Sequence, residues 1–260
     1  MKVELITHTP DPEKLAATAA KLCYSSSSIN GLKEGLTQEK TESFIDMLVS
    51  IGHESVMEHV SFTFGIEGIS RACSHQLVRH RIASYSQKSQ RYVSEKEFEF
   101  ITPPAVEEVP EAKSEFDRMI AEITESYSRL ADILTEKQKE KLIAEGMDEK
   151  SALSKARKLA NEDARFLLPN ACETKIIVTM NVRSLFNFFR HRCCNRAQWE
   201  IRNVANEMLR LCLDAAPNIF KYAGPSCVAD GKCPEGKMSC GKINEVREKY
   251  DKMKRGQSLE

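Results

Sequence analysis

The stretch "TKIIVTMNV", residues 174–182, is the most apolar run of β-branched residues in the chain. β-Branched side chains fit the pleated surface of a sheet, so this run predicts a central strand. The segment that follows it, "RSLFNFFRHRCCNRAQWEIRNVANEMLRLCLDAAP", predicts one helix, or two helices joined near residues 193–195. A strand that is followed directly by helices limits the chain to folds in which helices pack on a sheet.

Two further strands are predicted in the first third of the chain. Val3, Leu5 and Thr7 alternate with other residues near the N-terminus, and "VSFTFGIEG" repeats the alternation. Between them, "DPEKLAATAAKLCY" and "TQEKTESFIDMLVSIG" have helical periodicity, the second with Thr37 as its N-cap and Gly52 as its stop. The serine-rich stretch "SSSSINGLKEG" predicts a loop.

Residues 114–161 are rich in Glu, Lys, Ala and Leu, which predicts long solvated helices interrupted near Gly146. The fold class is therefore α+β, with an antiparallel or mixed sheet packed against several helices. After Pro217 the composition changes to a segment rich in Gly, Pro and Cys. We predict a main domain of residues 1–222 and an appendage of residues 223–260 that contains a short charged helix.

Composition excludes several classes of protein. No run approaches the ~18 apolar residues of a membrane span, and the N-terminal segment lacks the apolar stretch of a secretory signal, so we expect a cytoplasmic protein with no membrane partner. In that compartment nine cysteines are reduced thiols or metal ligands rather than disulfides. Lys+Arg and Asp+Glu both total 38, so anion selectivity must come from local clusters.

One such cluster is "RHRIASYSQKSQRY", residues 79–92. In an extended segment Arg79 and Arg81 share one side while His80 points to the other. Guanidinium groups bind phosphate oxygens, and short polar side chains satisfy a base or sugar edge. The cluster favours an anion site, against the alternative of surface ion pairs; its short polar residues are Ser84, Ser86, Gln87 and Ser89.

A second cluster, "RSLFNFFRHRCCNR", lies on a predicted helix. Arg183 and Asn187 share one face, whereas Arg192 lies about 140° around an unbroken helix from Asn187. One pocket of one chain therefore cannot easily use all three, unless the helix breaks. The alternative is one helix that serves two pockets, as at sites between subunits. The three phenylalanines in the cluster are predicted core residues: Phe186, Phe188 and Phe189.

Metal sites receive little support. "HESVMEH" has Met57 where a zincin has its second histidine, and His53 and His59 fall on different faces of a helix. The tail cysteines are spaced more widely than CxxC pairs; with Cys193 or Cys194 they could hold zinc, or they are isolated reduced thiols. We predict no metal. The chain also lacks the GxGxxG, P-loop and GxSxG motifs.

In "RHRIASYSQKS", Arg-His-Arg is followed by seven residues and Ser, and this pattern resembles the signature of flavin-dependent thymidylate synthases. Four further motifs occur in the order of that family: "GHESVMEH", "DARFLLP", "MNVRSLFNFF" and "AQWEIR". The resemblance covers residues 1–222. It identifies this part as the catalytic domain of an enzyme that methylates dUMP to dTMP.

The resemblance implies a homotetramer that binds FAD between subunits, with methylenetetrahydrofolate as carbon donor and NADPH as reductant of the flavin. It implies a catalytic role for Arg192 at the uracil, where a guanidinium favours ionisation at N3. The implied flavin contacts are His53, Ser55, Arg79, His80, Arg81, Gln87, Asn181, Arg183 and Asn187. The implied dUMP contacts are Gln76, Arg79, Gln87, Lys88, Ser89, Gln90, Arg91, Arg165 and Arg192.

Three positions depart from the family pattern. Ser86 stands where many members have Asn, Gln87 where some have Glu, and Arg196 where some have His. The Arg-His-Arg core is intact, but the hydrogen bonds to dUMP and folate are left open. So is the role of the three tail cysteines: Cys227, Cys233 and Cys240.

Two alternatives come from other classes of protein. An RNA- or DNA-binding module could use the same arginines, although zero net charge and 7% aromatic residues argue against nucleic acid as a partner. A zinc-dependent nucleotide hydrolase could use His53, His59 and the tail cysteines.

Overall fold

A computed structural model describes residues 1–91 and 99–257 of the chain. Its strands are β1 (Lys2–His8), β2 (Ser61–Ser70), β3 (Ala83–Gln87) and β4 (Glu173–Asn181). Its α-helices are α1 (Pro12–Leu22), α2 (Ile29–Glu34), α3 (Gln38–Ser50), α4 (Arg71–Leu77), α5 (Pro104–Glu107), α6 (Pro110–Ala144), α7 (Glu149–Ala164), α8 (Val182–Arg192), α9 (Trp199–Ala215), α10 (Pro217–Phe220), α11 (Ser226–Ala229) and α12 (Ile243–Lys254). Short 3-10 helices span Ser55–His59, Arg165–Leu167 and Gly236–Met238.

The four strands form one antiparallel sheet in the order β1-β2-β4-β3, so the predicted α+β class is confirmed. β4 contains the apolar run of residues 174–181 and is an interior strand, as predicted. β1 pairs with β2, Lys2 lying opposite Glu67 and His8 opposite Phe62. The helical segment after β4 divides into α8 and α9 around residues 193–198, close to the predicted junction.

The prediction of a loop over "SSSSINGLKEG" is wrong in its second half, because Ile29–Glu34 forms α2. Ser28 caps this helix, its Oγ accepting a hydrogen bond from the Gly31 N–H at 3.2 Å. Leu32 packs into the core with 4% of its surface exposed. A good N-cap and one buried apolar residue outweigh a composition that is typical of loops.

The chain divides into two compact units. The larger comprises Met1–Glu67, His75–Ser86 and Ile176–Glu260, and the smaller comprises Gly68–Ser74 and Gln87–Lys175. Residues 223–257 therefore belong to the larger unit. Tyr92 of the first arginine cluster lies outside the described residues.

The core of the larger unit is built on one face of the sheet, where alternate residues of β2 and β4 are buried. Phe220 is its centre: its ring meets Phe62 edge-on at 5.4 Å and Phe186 at 5.6 Å between centroids. Phe188 and Phe189 are fully buried, so all three phenylalanines of α8 are core residues, as predicted. Aromatic packing of this kind holds α8 rigidly against the sheet.

The smaller unit is dominated by the hairpin of α6 and α7. Four alanines recur at every fourth position of α7 and are completely buried, which lets the two helix backbones approach closely; they are Ala152, Ala156, Ala160 and Ala164. The predicted interruption near Gly146 is confirmed: this residue has a φ of 93° in the turn between the helices.

The outer surface of α6 carries ion pairs between residues three or four apart, such as Arg118 with Glu115. These charges face water, as predicted, and solvent screening leaves such pairs a small contribution to stability. Nowhere in residues 1–91 and 99–257 is a helix both long and apolar enough to cross a bilayer.

Candidate functional site

A cavity of about 720 Å³ in the larger unit is lined by two Arg-His-Arg triplets, residues 79–81 and 190–192. Its size lies within the range of about 300–1,000 Å³ that is usual for small-ligand sites. Five arginines contribute to its wall, so a chain of zero net charge concentrates positive charge in one place; they are Arg79, Arg81, Arg190, Arg192 and Arg196.

The first triplet lies in the turn between α4 and β3, so the prediction of an extended segment is wrong. The Tyr85 hydroxyl holds this turn through contacts with the carbonyl oxygens of Leu77 (2.9 Å) and His80 (2.7 Å). Ser184 Oγ, in the first turn of α8, donates to the Ile82 carbonyl at 3.0 Å. The predicted alternation of side-chain direction is observed: both arginines of the triplet are exposed, and the histidine between them is half-buried.

His80 links the two triplets. Arg192 Nε donates to His80 Nε2 at 2.8 Å, and the imidazole ring stands edge-on to Phe188 at 4.9 Å. Burial, followed by the nearby charges of Arg192 and His191, lowers the pKa of His80 to about 4. The ring is therefore neutral at pH 7 and accepts at Nε2, which fixes the orientation of the Arg192 guanidinium.

α8 contributes Asn187 and Arg192 to the cavity but not Arg183. Arg192 is the last residue of α8, and its side chain lines the cavity from that end of the helix. Arg183 lies elsewhere on the surface, where it forms an ion pair with Glu58. One cavity therefore does not use all three residues, but the predicted grouping is wrong: Asn187 and Arg192 line the same cavity, and Arg183 does not.

Sequence reasoning missed the acidic partners of these arginines. Arg190 Nη2 contacts Glu54 Oε1 at 2.6 Å, and its Nε contacts Asp230 Oδ1 at 3.2 Å. The Arg-His-Arg pattern of residues 79–81 recurs at residues 190–192, and this repetition could have identified Arg190 as a site residue. The spacing of Glu54 and Glu58, four residues apart in the motif that also contains His53, was a signal for the two glutamates.

Several residues implied by the resemblance lie outside the cavity lining. His53 and Ser55 are exposed at the start of the 3-10 helix Ser55–His59. Asn181 caps α8, its Oδ1 accepting from the Ser184 N–H at 2.8 Å. Gln76 is half-buried on α4. None of these four side chains is brought to the cavity within one chain.

In the smaller unit, Gln87 is held by two hydroxyl groups. Its Nε2 donates to Ser74 Oγ at 2.9 Å and to Thr174 Oγ1 at 3.2 Å. Both donors of the amide are used in this way, so a ligand would meet the carbonyl oxygen Oε1. Gln87 thereby presents an acceptor, as a Glu at this position would.

Two arginines that the resemblance implies as dUMP contacts both interact with Glu162, a residue that was not predicted from the sequence. Arg91 Nη2 contacts the Glu162 carboxylate at 3.0 Å, and Arg165 Nε donates to the Glu162 carbonyl at 3.2 Å. Ser89 Oγ accepts from the Arg91 N–H at 3.2 Å. The structure thus brings Ser89, Arg91 and Arg165 together in the smaller unit, and the half-buried Lys88 and Gln90 flank Ser89 in sequence.

No group of three or more His, Cys, Asp and Glu side chains within residues 1–91 and 99–257 is arranged to hold a single metal ion. His53 and His59 are both exposed. None of the nine cysteines forms a disulfide bond.

Comparison with known proteins places the chain in a family. The model of the thymidylate synthase complementing protein family matches residues 4–218. The flavin-dependent thymidylate synthase of Clostridium tetani is 54% identical over 250 residues, 96% of this chain and 97% of the relative. That of Geobacter sulfurreducens is 49% identical over 255 residues, covering 97% and 99%.

A more distant relative has the same name. The flavin-dependent thymidylate synthase of Pyrococcus furiosus is 38% identical over 267 residues, 99% of this chain and 100% of the relative. Neither the nucleic-acid-binding alternative nor the zinc hydrolase alternative is supported. With the arginine-lined cavity and its neutral histidine, these matches confirm the resemblance of the Arg-His-Arg motif, and the chain belongs to the family of flavin-dependent thymidylate synthases.

Proposed function

We propose that this chain is an FAD-dependent thymidylate synthase that converts dUMP to dTMP, with 5,10-methylenetetrahydrofolate as carbon donor and NADPH as reductant, and releases tetrahydrofolate. The observation that supports this most directly is the cavity lined by two Arg-His-Arg triplets. Phosphorylated cofactors and nucleotides are anions, and guanidinium groups bind them through paired hydrogen bonds.

FAD fits the donor set of the cavity. Arg79 and Arg81 expose guanidinium groups that suit a pyrophosphate, and Asn187 offers an amide to a ring edge. The neutral His80 leaves the two flanking arginines as the charges that select an anion. The bound flavin supplies hydride transfer from NADPH to the one-carbon unit. His53, Ser55, Gln87, Asn181 and Arg183 complete the proposed contacts, at sites shared between subunits.

dUMP is proposed to bind the group in the smaller unit around Glu162. A phosphate has more negative charge than one carboxylate and accepts several hydrogen bonds, so it competes with Glu162 for Arg91. Arg165 is already oriented by the Glu162 carbonyl, which reduces the entropy lost on binding. Gln87 Oε1 then accepts a hydrogen bond from the base or sugar. The other proposed contacts are Gln76, Arg79, Lys88, Ser89 and Gln90.

Arg192 is the proposed catalytic residue. C5 of uracil is a weak nucleophile, and a guanidinium beside N3 stabilises the anion that forms as N3 loses its proton, which makes C5 a better nucleophile toward the one-carbon unit. Such a contact accelerates the reaction because it strengthens in the transition state. The 2.8 Å hydrogen bond to His80 aligns the guanidinium before the substrate arrives.

We further propose a cytoplasmic homotetramer, in which flavin sites form between subunits, and a division into a catalytic domain of residues 1–222 and an appendage of residues 223–260. Light scattering of the purified protein tests the tetramer, and a monomer that turns over at full rate at low concentration would refute it. Limited proteolysis near residue 222 tests the domain boundary.

The test of the main proposal is an absorption spectrum between about 300 and 550 nm of the protein with FAD, before and after dUMP is added. We expect flavin bands that survive desalting and shift with dUMP. Omission of either NADPH or methylenetetrahydrofolate should abolish dTMP formation. If no flavin is retained at high FAD concentration and no dTMP forms, the proposal is wrong.

A further inference from the structure

The side chain of Gln87 is held by two buried hydroxyl groups of the smaller unit. Gln87 is the last residue of β3, and its Nε2 donates to Ser74 Oγ on α4 at 2.9 Å and to Thr174 Oγ1 on β4 at 3.2 Å. Ser74 is fully buried and Thr174 is 1% exposed, whereas Gln87 is half-buried. Two interior residues thus fix a side chain that is itself partly accessible.

The hydroxyl proton of Ser74 is committed within its own helix. Ser74 Oγ donates to the carbonyl oxygen of Arg71, three residues earlier in α4, at 2.9 Å. A serine hydroxyl has a single proton, so the same oxygen acts toward Gln87 only as an acceptor. In this arrangement Ser74 requires a hydrogen-bond donor at position 87.

The Thr174 hydroxyl oxygen also faces donors. Arg71 Nη1 lies 3.5 Å from Thr174 Oγ1 and 3.4 Å from the carbonyl oxygen of Lys88. A guanidinium has donors and no acceptor, so Thr174 Oγ1 accepts from Arg71 as well as from Gln87. Position 87 therefore faces two acceptor oxygens, and a side-chain amide supplies the two N–H groups that they need.

We propose that Ser74 is a positioning residue of the nucleotide site: it fixes the Gln87 amide with Oε1 directed to the ligand, and it makes position 87 select an amide over a carboxylate. The inference rests on the proposed function, in which Gln87 contacts dUMP. Ser74 is fully buried, so it acts on the ligand only through Gln87. An amide that is oriented before dUMP arrives loses less entropy when the complex forms.

A glutamate at position 87 does not fit the same surroundings. An ionised carboxylate has acceptors only, so one of its oxygens would face Ser74 Oγ with no proton between them. A hydrogen bond would form only if Ser74 turned its proton away from the Arg71 carbonyl oxygen, which breaks the 2.9 Å bond within α4. Ser74 thus gives a physical reason for Gln87 where some members of the family have Glu.

The first test is titration of the flavin-loaded, full-length protein with dUMP, followed by flavin absorbance. Ser74→Ala should raise the Kd for dUMP about 3- to 10-fold, the range for one neutral hydrogen bond, and Ser74→Thr, which keeps the hydroxyl, should retain the original Kd. In steady-state assays Ser74→Ala should raise KM and leave kcat unchanged. Thr18→Val is the matched control, because this buried hydroxyl also donates to a helix carbonyl, that of Lys14 at 2.7 Å in α1.

A double-mutant cycle separates positioning from a merely structural role. In a Gln87→Met protein the amide is absent, so Ser74→Ala should change the Kd for dUMP by less than about twofold. In a Gln87→Glu protein Ser74→Ala should lower the Kd, because it removes the oxygen that opposes the carboxylate. Thermal unfolding checks that each variant is folded. Gln87→Glu by itself should weaken dUMP binding at least about threefold, which tests the selection for an amide even if Ser74→Ala does not fold.

Four results would overturn the role of Ser74: an unchanged Kd in Ser74→Ala, an equal loss of affinity when Ser74→Ala is added to Gln87→Met, a further loss when it is added to Gln87→Glu, or full affinity in Gln87→Glu alone. Failure of the proposed function is a separate outcome. An unmodified protein that retains no flavin and makes no dTMP refutes the synthase, and the role of Ser74 with it. An active synthase whose Ser74→Ala variant binds dUMP normally refutes the role of Ser74 alone.

Discussion

Replacement of Arg192 by Lys removes one hydrogen bond that the structure shows and one catalytic contact that we propose for the guanidinium. The first is the 2.8 Å hydrogen bond from Nε to His80 Nε2, because the lysine side chain has no donor at that position. A charge-assisted bond is worth about 1.5–3 kcal/mol when buried, and the half-buried setting of both groups reduces this to about 1 kcal/mol. In a chain of this length that corresponds to a decrease in Tm of about 2–4 °C.

The second loss is the planar fork proposed to stabilise the uracil anion. Removal of one aligned donor from a developing anion typically reduces kcat by about 100- to 1,000-fold. We expect Arg192→Lys to show this loss in kcat, with flavin content unchanged and the Kd for dUMP within about threefold, because ground-state binding uses other groups.

The assay is single-turnover oxidation of reduced flavin in the presence of dUMP and methylenetetrahydrofolate, with dTMP quantified by chromatography. Arg210→Lys is the matched control: this arginine is partly exposed on α9 and pairs with Glu207 and Asp214. The reasoning would be refuted if Arg192→Lys kept full kcat, or if it lost activity only because flavin or dUMP no longer bound.

Four further predictions follow from individual contacts. Arg79→Ala should lose flavin on desalting while the Tm changes by less than about 2 °C, since the side chain is exposed; retention of flavin would contradict its role. Arg91→Ala should raise the KM for dUMP at least tenfold, in steady-state assays, with little change in kcat, and an unchanged KM would remove it from the phosphate site. Tyr250→Phe should cost about 2 kcal/mol in urea unfolding, because it removes the buried hydroxyl that donates its one proton to either the Cys193 carbonyl or Asn206 Oδ1; a cost below about 0.5 kcal/mol would show that water replaces the hydroxyl. The pKa of His80 is lowered from 6.5 to about 4, so the unfolded chain binds more protons in that window and stability should fall as the pH decreases from 6.5 to 4. His80→Asn should show a shallower decline in chemical denaturation, and equal slopes in both proteins would refute the assignment.

Local sequence was enough to predict most of the secondary structure. Strand β4 followed from a run of β-branched residues, the α6 and α7 hairpin from its composition and Gly146, and α3 from Thr37 and Gly52, because each of these signals acts within one turn or one pleat. The loop predicted over α2 failed where a capping serine and one buried leucine outweighed composition. The Arg-His-Arg motif with its spaced serine was equally local, and together with four further motifs in the same order as in the family it identified the family.

The site itself was decided by tertiary structure. Residues 79–81 and 190–192 are more than a hundred positions apart, and only the packing of α8 on the sheet joins them through His80 and Arg192. The larger unit also brings Glu54 and Asp230 to Arg190, although the three residues are far apart in sequence. Periodicity specifies the face on which a side chain lies, whereas contacts between distant segments depend on how the buried apolar faces fit together, and that fit is a property of the whole core.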